Sequence, residues 1–394
     1  MSTISASAAA QIDTTSARST VGSIPWLVWA NVLISISIAT GLYWDISWHE
    51  TIGRDSFWTP AHLLIQFGAL LAALGSAWVI MQTSFAGSPA ARQNSVRVLG
   101  LRGPLGAFIA AWGGGAMLTS APFDNWWHEA YGLDVKIISP PHILLALGMA
   151  GIMWGGAVLA AAQLNRTEGE QRRKLDRIFL FIGGFIILQA MTLKLEYTNR
   201  VLLHSGISYL WISIGTLLFL EALSRASGHR WARTIVTGVY SAFVLIMMWV
   251  LPLFPAQPKL GPVYQNITHM VPLPFPILLV VPAFILDLMW PMFKDAPKWQ
   301  QSLFGGVAFL AILIAVEWPF ATFMMSPASR NALFATVDFP YFALPTSPTV
   351  RHIFVQWETT AGAFWRDMGL GFLASVASMR IGIVFGEWMS RVKR

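Results

Sequence analysis

Apolar runs of about twenty residues recur along the whole chain, separated by short polar joins. They fall at residues 24–45, 60–82, 104–121, 142–163, 177–196, 204–223, 234–254, 273–293, 302–322 and 365–388. An α-helix of that length matches the hydrocarbon thickness of a bilayer. Within a bilayer only helices or closed barrels satisfy their own backbone groups. The pattern predicts an all-α integral membrane protein of about ten transmembrane helices. The last run contains Arg380 and is expected to be irregular. Residues 1–23 are rich in Ser, Ala and Thr and read as a disordered cytoplasmic tail. No small-residue cleavage site follows the first run, which reads as a retained helix rather than a signal peptide. The one long join, 323–364, holds several prolines and aromatics and is expected to pack as an outward-facing cap.

Composition agrees with this class. Apolar residues make up 55% of the chain and charged residues 11%, with a mean hydropathy of +0.57. A soluble domain carries about a quarter charged residues. The net charge of +7 sits in short joins, so it points to membrane topology and not to a nucleic-acid partner. The absence of cysteine excludes disulfides, thiolate metal sites and thiolate-held iron–sulfur clusters.

Basic residues follow the even-numbered runs, among them Arg92, Arg97, Arg102, Arg172, Arg173, Arg230 and Lys298. That bias places both termini in the cytoplasm, in the manner of a bacterial inner-membrane protein. Seven of the eight histidines then face outward, toward the periplasm: His49, His62, His128, His142, His204, His269 and His352. Only His229 does not.

Four of those histidines belong to a duplication. Residues 44–64 read WDISWHETIGRDSFWTPAHLL and 123–144 read FDNWWHEAYGLDVKIISPPHIL. Asp45 corresponds to Asp124 and His49 to His128, both 79 residues on; His62 corresponds to His142, 80 on. Asp and His four apart share one helix face. The prolines before His62 and His142 suit helix starts. Each copy is therefore a helix end bearing Asp and His, a short crossing, and a helix start bearing a second His. Residues 24–165 read as two such hairpins, and 166–394 as further helices. Two imidazoles and a carboxylate suit copper, iron or zinc with positions left open. Glu50, Asp55, Glu129 and Asp134 could orient the imidazoles, with Arg54 pairing one of the acids. Trp44, Trp48, Trp58, Trp126 and Trp127 could wall the sites from water. The same residues also suit an interfacial hydrogen-bond cluster inside a tryptophan belt; the repeated ligand set favours metal.

The first copy resembles the metal-site segment in the C subunit of the copper membrane monooxygenases, the family of particulate methane and ammonia monooxygenases. The shared pattern is Asp45-x-x-Trp48-His49-x-Thr51-Ile52-x-Arg54-Asp55, then Thr59-Pro60-x-His62. The second copy is similar to that family's second intramembrane site, with Asp124 standing where the family has Asn. The resemblance covers about residues 30–165. It implies that Asp45, His49 and His62 bind copper, that Asp124, His128 and His142 form a nearby second site, and that one of them is the leading place for oxygen chemistry, here taken as catalytic Asp45, His49 and His62. It also implies partner subunits or a trimer, and quinol or another electron donor.

Elsewhere, Glu196 and His204 could supply a further ligand set, although Glu196 could equally pair with Arg200. His269 beside Met270 suits copper(I) or a structural role. Glu221, Asp287 and Glu317 lie within or near apolar runs, where proton relay and helix–helix hydrogen bonding both fit. Two functions follow: a copper-dependent membrane oxidoreductase hydroxylating a small apolar substrate, or a metal-handling or transport protein on the same scaffold. A through-going path of acids to Asp287 or Glu221 would favour transport.

Overall fold

The computed structural model describes residues 25–53, 58–132, 139–198, 203–259, 267–337 and 358–394. Its helices are α1 Trp26–Thr51, α2 Pro60–Met81, α3 Pro89–Gln93, α4 Leu105–Tyr131, α5 Pro140–Leu164, α6 Gly169–Thr192, α7 Leu195–Thr198, α8 Gly206–Ser227, α9 Ala232–Val250, α10 Val280–Phe293, α11 Lys298–Met324 and α12 Ala361–Met389. Among the described residues the only sheet is a hairpin, β1 Val96–Val98 with β2 Leu101–Gly103. Eight helices (α1, α2, α5, α6, α8, α9, α11 and α12) are long and apolar enough to cross a membrane. Of the ten expected spans, the other two correspond to α4, which is long but less apolar, and α10, which has only 14 residues. Large apolar side chains stand on the outer faces: Leu74 is 61% exposed, Trp112 59% and Leu373 68%. A hydrocarbon surround accounts for such faces and water does not.

The enclosed α6 has α1, α5, α8 and α9 around it; α12 lies along α8, α4 along α5, and α2 between α1 and α4. Small residues set the closest crossings. At Gly41 an added Cβ would lie 2.7 Å from Ile65 Cγ1 and 2.8 Å from the Ala61 carbonyl. Without a side chain there, α1 and α2 touch backbone to backbone, as helices in lipid do.

Three expectations change. First, α1 and α4 continue past the apolar runs that end at 45 and 121, to Thr51 and Tyr131. Polar side chains end a hydropathy window but not a hydrogen-bond ladder, so the motif's Asp and His stand on helix. Second, the run 273–293 is helical only from Val280; residues 270–279 run extended and largely buried. Pro272, Pro274 and Pro276 have no N–H to satisfy. Three of the remaining N–H groups donate to side chains: Val271 to Thr51 Oγ1 (2.8 Å), Ile277 to the Tyr240 hydroxyl (3.2 Å) and Leu278 to Glu317 Oε2 (2.8 Å). Non-helical backbone among apolar helices persists only when buried and paired in this way. Glu317 thus serves backbone at the entry to α10.

Third, α12 runs through Arg380 as one helix, with Arg380 exposed. The irregular helix is α8, which breaks at Ile214 and Gly215, the latter at φ +79°. Lys194 Nζ donates to the freed Ile214 carbonyl and to Thr216 Oγ1, both at 2.6 Å. Of the join 323–364, the first part carries two short 3-10 turns, Pro327–Ser329 and Ala332–Phe334, and the last part opens α12 at Ala361. Residues 338–357, including His352, lie outside the described residues.

At the bundle end away from the motif, Arg233 is 2% exposed and bonds two carboxylates. Its Nη2 lies 2.6 Å from Glu221 Oε2 and its Nη1 2.9 Å from Asp287 Oδ1. Arg225 Nε donates to Glu221 Oε1 (2.7 Å) and also reaches Gln301. Both guanidiniums lie over the Trp290 ring, at 4.6 and 4.2 Å. Two cations balance two anions, so both acids are tied within α8, α9 and α10.

Candidate metal centre

Local sequence builds each half of the site. Thr59 caps α2 by accepting from His62 N (3.4 Å), and Pro60 occupies the first turn. Pro140 and Pro141 open α5 after Ser139. Both motifs share a glycine four residues past the first histidine, and each takes a positive φ: +91° at Gly53 and +87° at Gly132. These glycines stop α1 and α4, so Asp45 with His49, and Asp124 with His128, occupy the last two turns. The α2 and α5 starts then present His62 and His142 to the carboxylates.

In the first set, Asp45 Oδ1 lies 3.1 Å from His62 Nε2 and 3.8 Å from His49 Nε2. All three donor atoms fall within 4.8 Å of one another, alone among the described residues in meeting that condition for a group of three such side chains. Two donors each about 2.1 Å from an ion are at most about 4.2 Å apart, so closing the set needs shifts of a few tenths of an ångström. Asp45 Oδ1 is shut off from solvent and makes no hydrogen bond. Its near neighbours are the two imidazole nitrogens, at 3.1 and 3.8 Å. Facing two imidazoles, it fits a cation held in common.

The second set repeats the arrangement more loosely. Asp124 Oδ2 lies 3.3 Å from His128 Nε2 and Oδ1 lies 3.7 Å from His142 Nε2. Asp124 Oδ1 is likewise buried without a hydrogen bond. His128 Nδ1 stands 3.3 Å from the Gly132 carbonyl. That carbonyl orients the ring and leaves Nε2 toward Asp124, the ring nitrogen that a metal would take. That partner is a backbone carbonyl; Glu129 accepts from Asn125 Nδ2 instead (2.9 Å). Arg54, Asp55, Asp134 and Arg200 lie outside the described residues. Trp44 and Trp48 are part-buried against the core, whereas Trp58 is 73% and Trp126 52% exposed. The last two therefore stand at the surface and leave the drying of the sites to the others.

His204 is engaged elsewhere: Nε2 meets Thr322 Oγ1 (3.0 Å) and its ring edge meets Trp318. Burial pulls this imidazole below its usual value. His269 pairs in a β-bridge with Pro255, beside the buried Met270.

Ligand-type reasoning misses the groups that aim the first set. Ser47 Oγ donates to the Val271 carbonyl (2.6 Å) while Thr51 Oγ1 accepts from Val271 N. This two-point clamp holds the last turns of α1 on the extended segment 270–279. Gly41, one turn before Asp45, sets the α1–α2 distance. Gly41→Val is expected to push α1 from α2, cost about 1–3 kcal/mol, and weaken metal binding at the first set while sparing the second. Thermal unfolding and metal titration of the purified variant check this; unchanged affinity would show that the crossing does not set the Asp45–His62 distance. Comparison with known protein families, curated proteins and solved structures finds no match to this chain.

Proposed function

We propose that this chain is a membrane-embedded metal-dependent oxidoreductase of the copper membrane monooxygenase type, acting on a small apolar substrate. In this reading it crosses the bilayer ten times, with the duplicated hairpins toward the outer face and both termini in the cytoplasm. The observation that carries it is the convergence of Asp45 Oδ1, buried from solvent, with two imidazole nitrogens, all three donors within 4.8 Å of one another. Asp45, His49 and His62 would hold one ion; Asp124, His128 and His142 would hold the second. Copper suits this donor set, as do iron and zinc. A bound copper supplies the one-electron chemistry that dioxygen activation and hydroxylation need.

The chain's own residues orient and dry the site. The Gly53 stop and the Thr59 cap aim His49 and His62 at Asp45. Trp44 and Trp48 limit water on the core side, and the apolar outer faces of α1 and α2 admit a substrate dissolved in lipid. Electrons would come from a quinol or a partner protein, and further subunits or a trimer would complete the assembly.

The transport alternative calls for acids free to relay charge inward. Glu221 and Asp287 are instead locked by Arg233 and Arg225, which favours the oxidoreductase. The deciding measurement is metal content by mass spectrometry after copper loading, for wild type, His49→Ala and His128→Ala. Two coppers in wild type and one fewer in each variant are expected. A chain that takes up no metal would sink the proposal, and stoichiometric zinc that resists copper exchange would discard the oxygen chemistry.

A further inference from the structure

The β1–β2 hairpin, at the opposite end of α2 from His62, breaks three rules of a stable water-exposed turn. Its tip is Leu99–Gly100, with φ +49° at Leu99 and +85° at Gly100. A leucine in the left-handed region is an outlier, since asparagine, aspartate or glycine fit such a turn without strain. Leu99 is also 99% exposed and Val98 39%. The register sets Arg97 directly opposite Arg102, and like charges facing across a strand pair repel.

Among the described residues no acid neutralises them. Residues 56–123 contain no Asp or Glu, and Arg92, Arg97 and Arg102 form no ion pair among the described residues. The hairpin is nevertheless firmly placed. Ser84 Oγ accepts from Arg102 N (2.7 Å) and donates to the Ile80 carbonyl (2.8 Å), while Arg92 Nη2 donates to the Ser84 carbonyl (3.3 Å). Gly103 packs on Ile80 in the last turn of α2. Exposed Met81 and Phe85 flank this anchor, at 47% and 70%. With α2 spanning the bilayer, its last turn and the hairpin meet at the membrane surface.

We propose that this hairpin docks on anionic phospholipid: Leu99 enters the boundary between headgroups and acyl chains, and Arg97, Arg102 and Arg92 hold the lipid phosphate. The apolar tip gains burial that offsets its backbone strain, and the phosphate turns the Arg97–Arg102 repulsion into shared attraction. The inference rests on the membrane-spanning part of the proposed function and not on the metal.

The chain has no cysteine, so Leu99→Cys places a single reporter at the tip. The full-length variant, labelled with an environment-sensitive fluorophore, is reconstituted into discs of phosphatidylcholine alone or mixed with phosphatidylglycerol. In the mixed discs the fluorophore is expected to shift to the blue and to be quenched by spin-labelled lipid. The shift should weaken with salt and should not be reproduced by inorganic phosphate added to phosphatidylcholine discs. Arg97→Ser and Arg102→Ser in the same background should each reduce the preference for anionic lipid about fivefold. A tip that reports water in both kinds of disc, with equal quenching by iodide, overturns the proposal. So does a tip shielded equally in both and untouched by lipid quencher, which would mark a protein contact. Failure to enter discs at all would instead strike the membrane-spanning reading.

Discussion

Replacing Arg233 with methionine is expected to destabilise the folded protein by about 3–5 kcal/mol, the largest single-residue effect in the bundle. Arg233 is 2% exposed and its two partners, Glu221 and Asp287, are 0% and 1% exposed. Methionine fills much of the same volume, so the loss comes from charge rather than from a cavity. Removing the guanidinium leaves Glu221 with Arg225, and Asp287 with the Thr234 amide and hydroxyl, neither of which carries a charge. Burying an uncompensated charge costs several kcal/mol, whereas burying a matched set costs far less. The triple change Arg233→Met, Glu221→Gln and Asp287→Asn should therefore recover a substantial part of the loss. Thermal unfolding in one detergent, compared across the single and triple variants, checks both statements. An Arg233→Met protein as stable as wild type would overturn the account of Arg233 as the charge that Glu221 and Asp287 need.

Asp45→Ala is expected to act unequally on the two forms of the protein. Metal affinity at the first set should fall at least ~100-fold, because even partners that only orient a ligand are worth 10–100-fold. Affinity at the second set should be unchanged, as expected for independent sites. The metal-free protein, however, should lose no more than about 1 kcal/mol, since the buried Asp45 Oδ1 makes no well-aligned hydrogen bond and meets only the two imidazoles. Metal titration beside thermal unfolding of the apo form separates the readings. If Asp45→Ala destabilises the apo protein strongly, the Asp–His cluster is a structural hydrogen-bond network after all.

Both predictions concern polar groups in apolar surroundings, and the chain discloses the two unequally. The duplicated spacing in 44–64 and 123–144 marks the six candidate ligands in the sequence alone, because Asp and His one turn apart share a helix face and proline favours a helix start. The structure brings each Asp to both of its histidines. Glu221 and Asp287 are visible as acids in apolar runs, but their shared partner is not. Arg233 lies in what reads as a basic membrane-edge join, and only the packing of α8, α9 and α10 brings it between them.

Hydropathy by itself determined that this is a chain of apolar helices and where most of them lie, and the repeated spacing marked the candidate ligands. It does so because burial in lipid or in a helix bundle selects residue types locally, and the choice is written along the chain. Tertiary structure decided the rest. An apolar window cannot tell helix from buried extended chain, so residues 270–279 depended on whether Thr51, Tyr240 and Glu317 were near enough to take their amides. Nor can it locate the break at Gly215, which persists because Lys194, from a different helix end, supplies the donor for the freed carbonyl. Contacts between residues far apart in sequence set these features, and no local pattern encodes them.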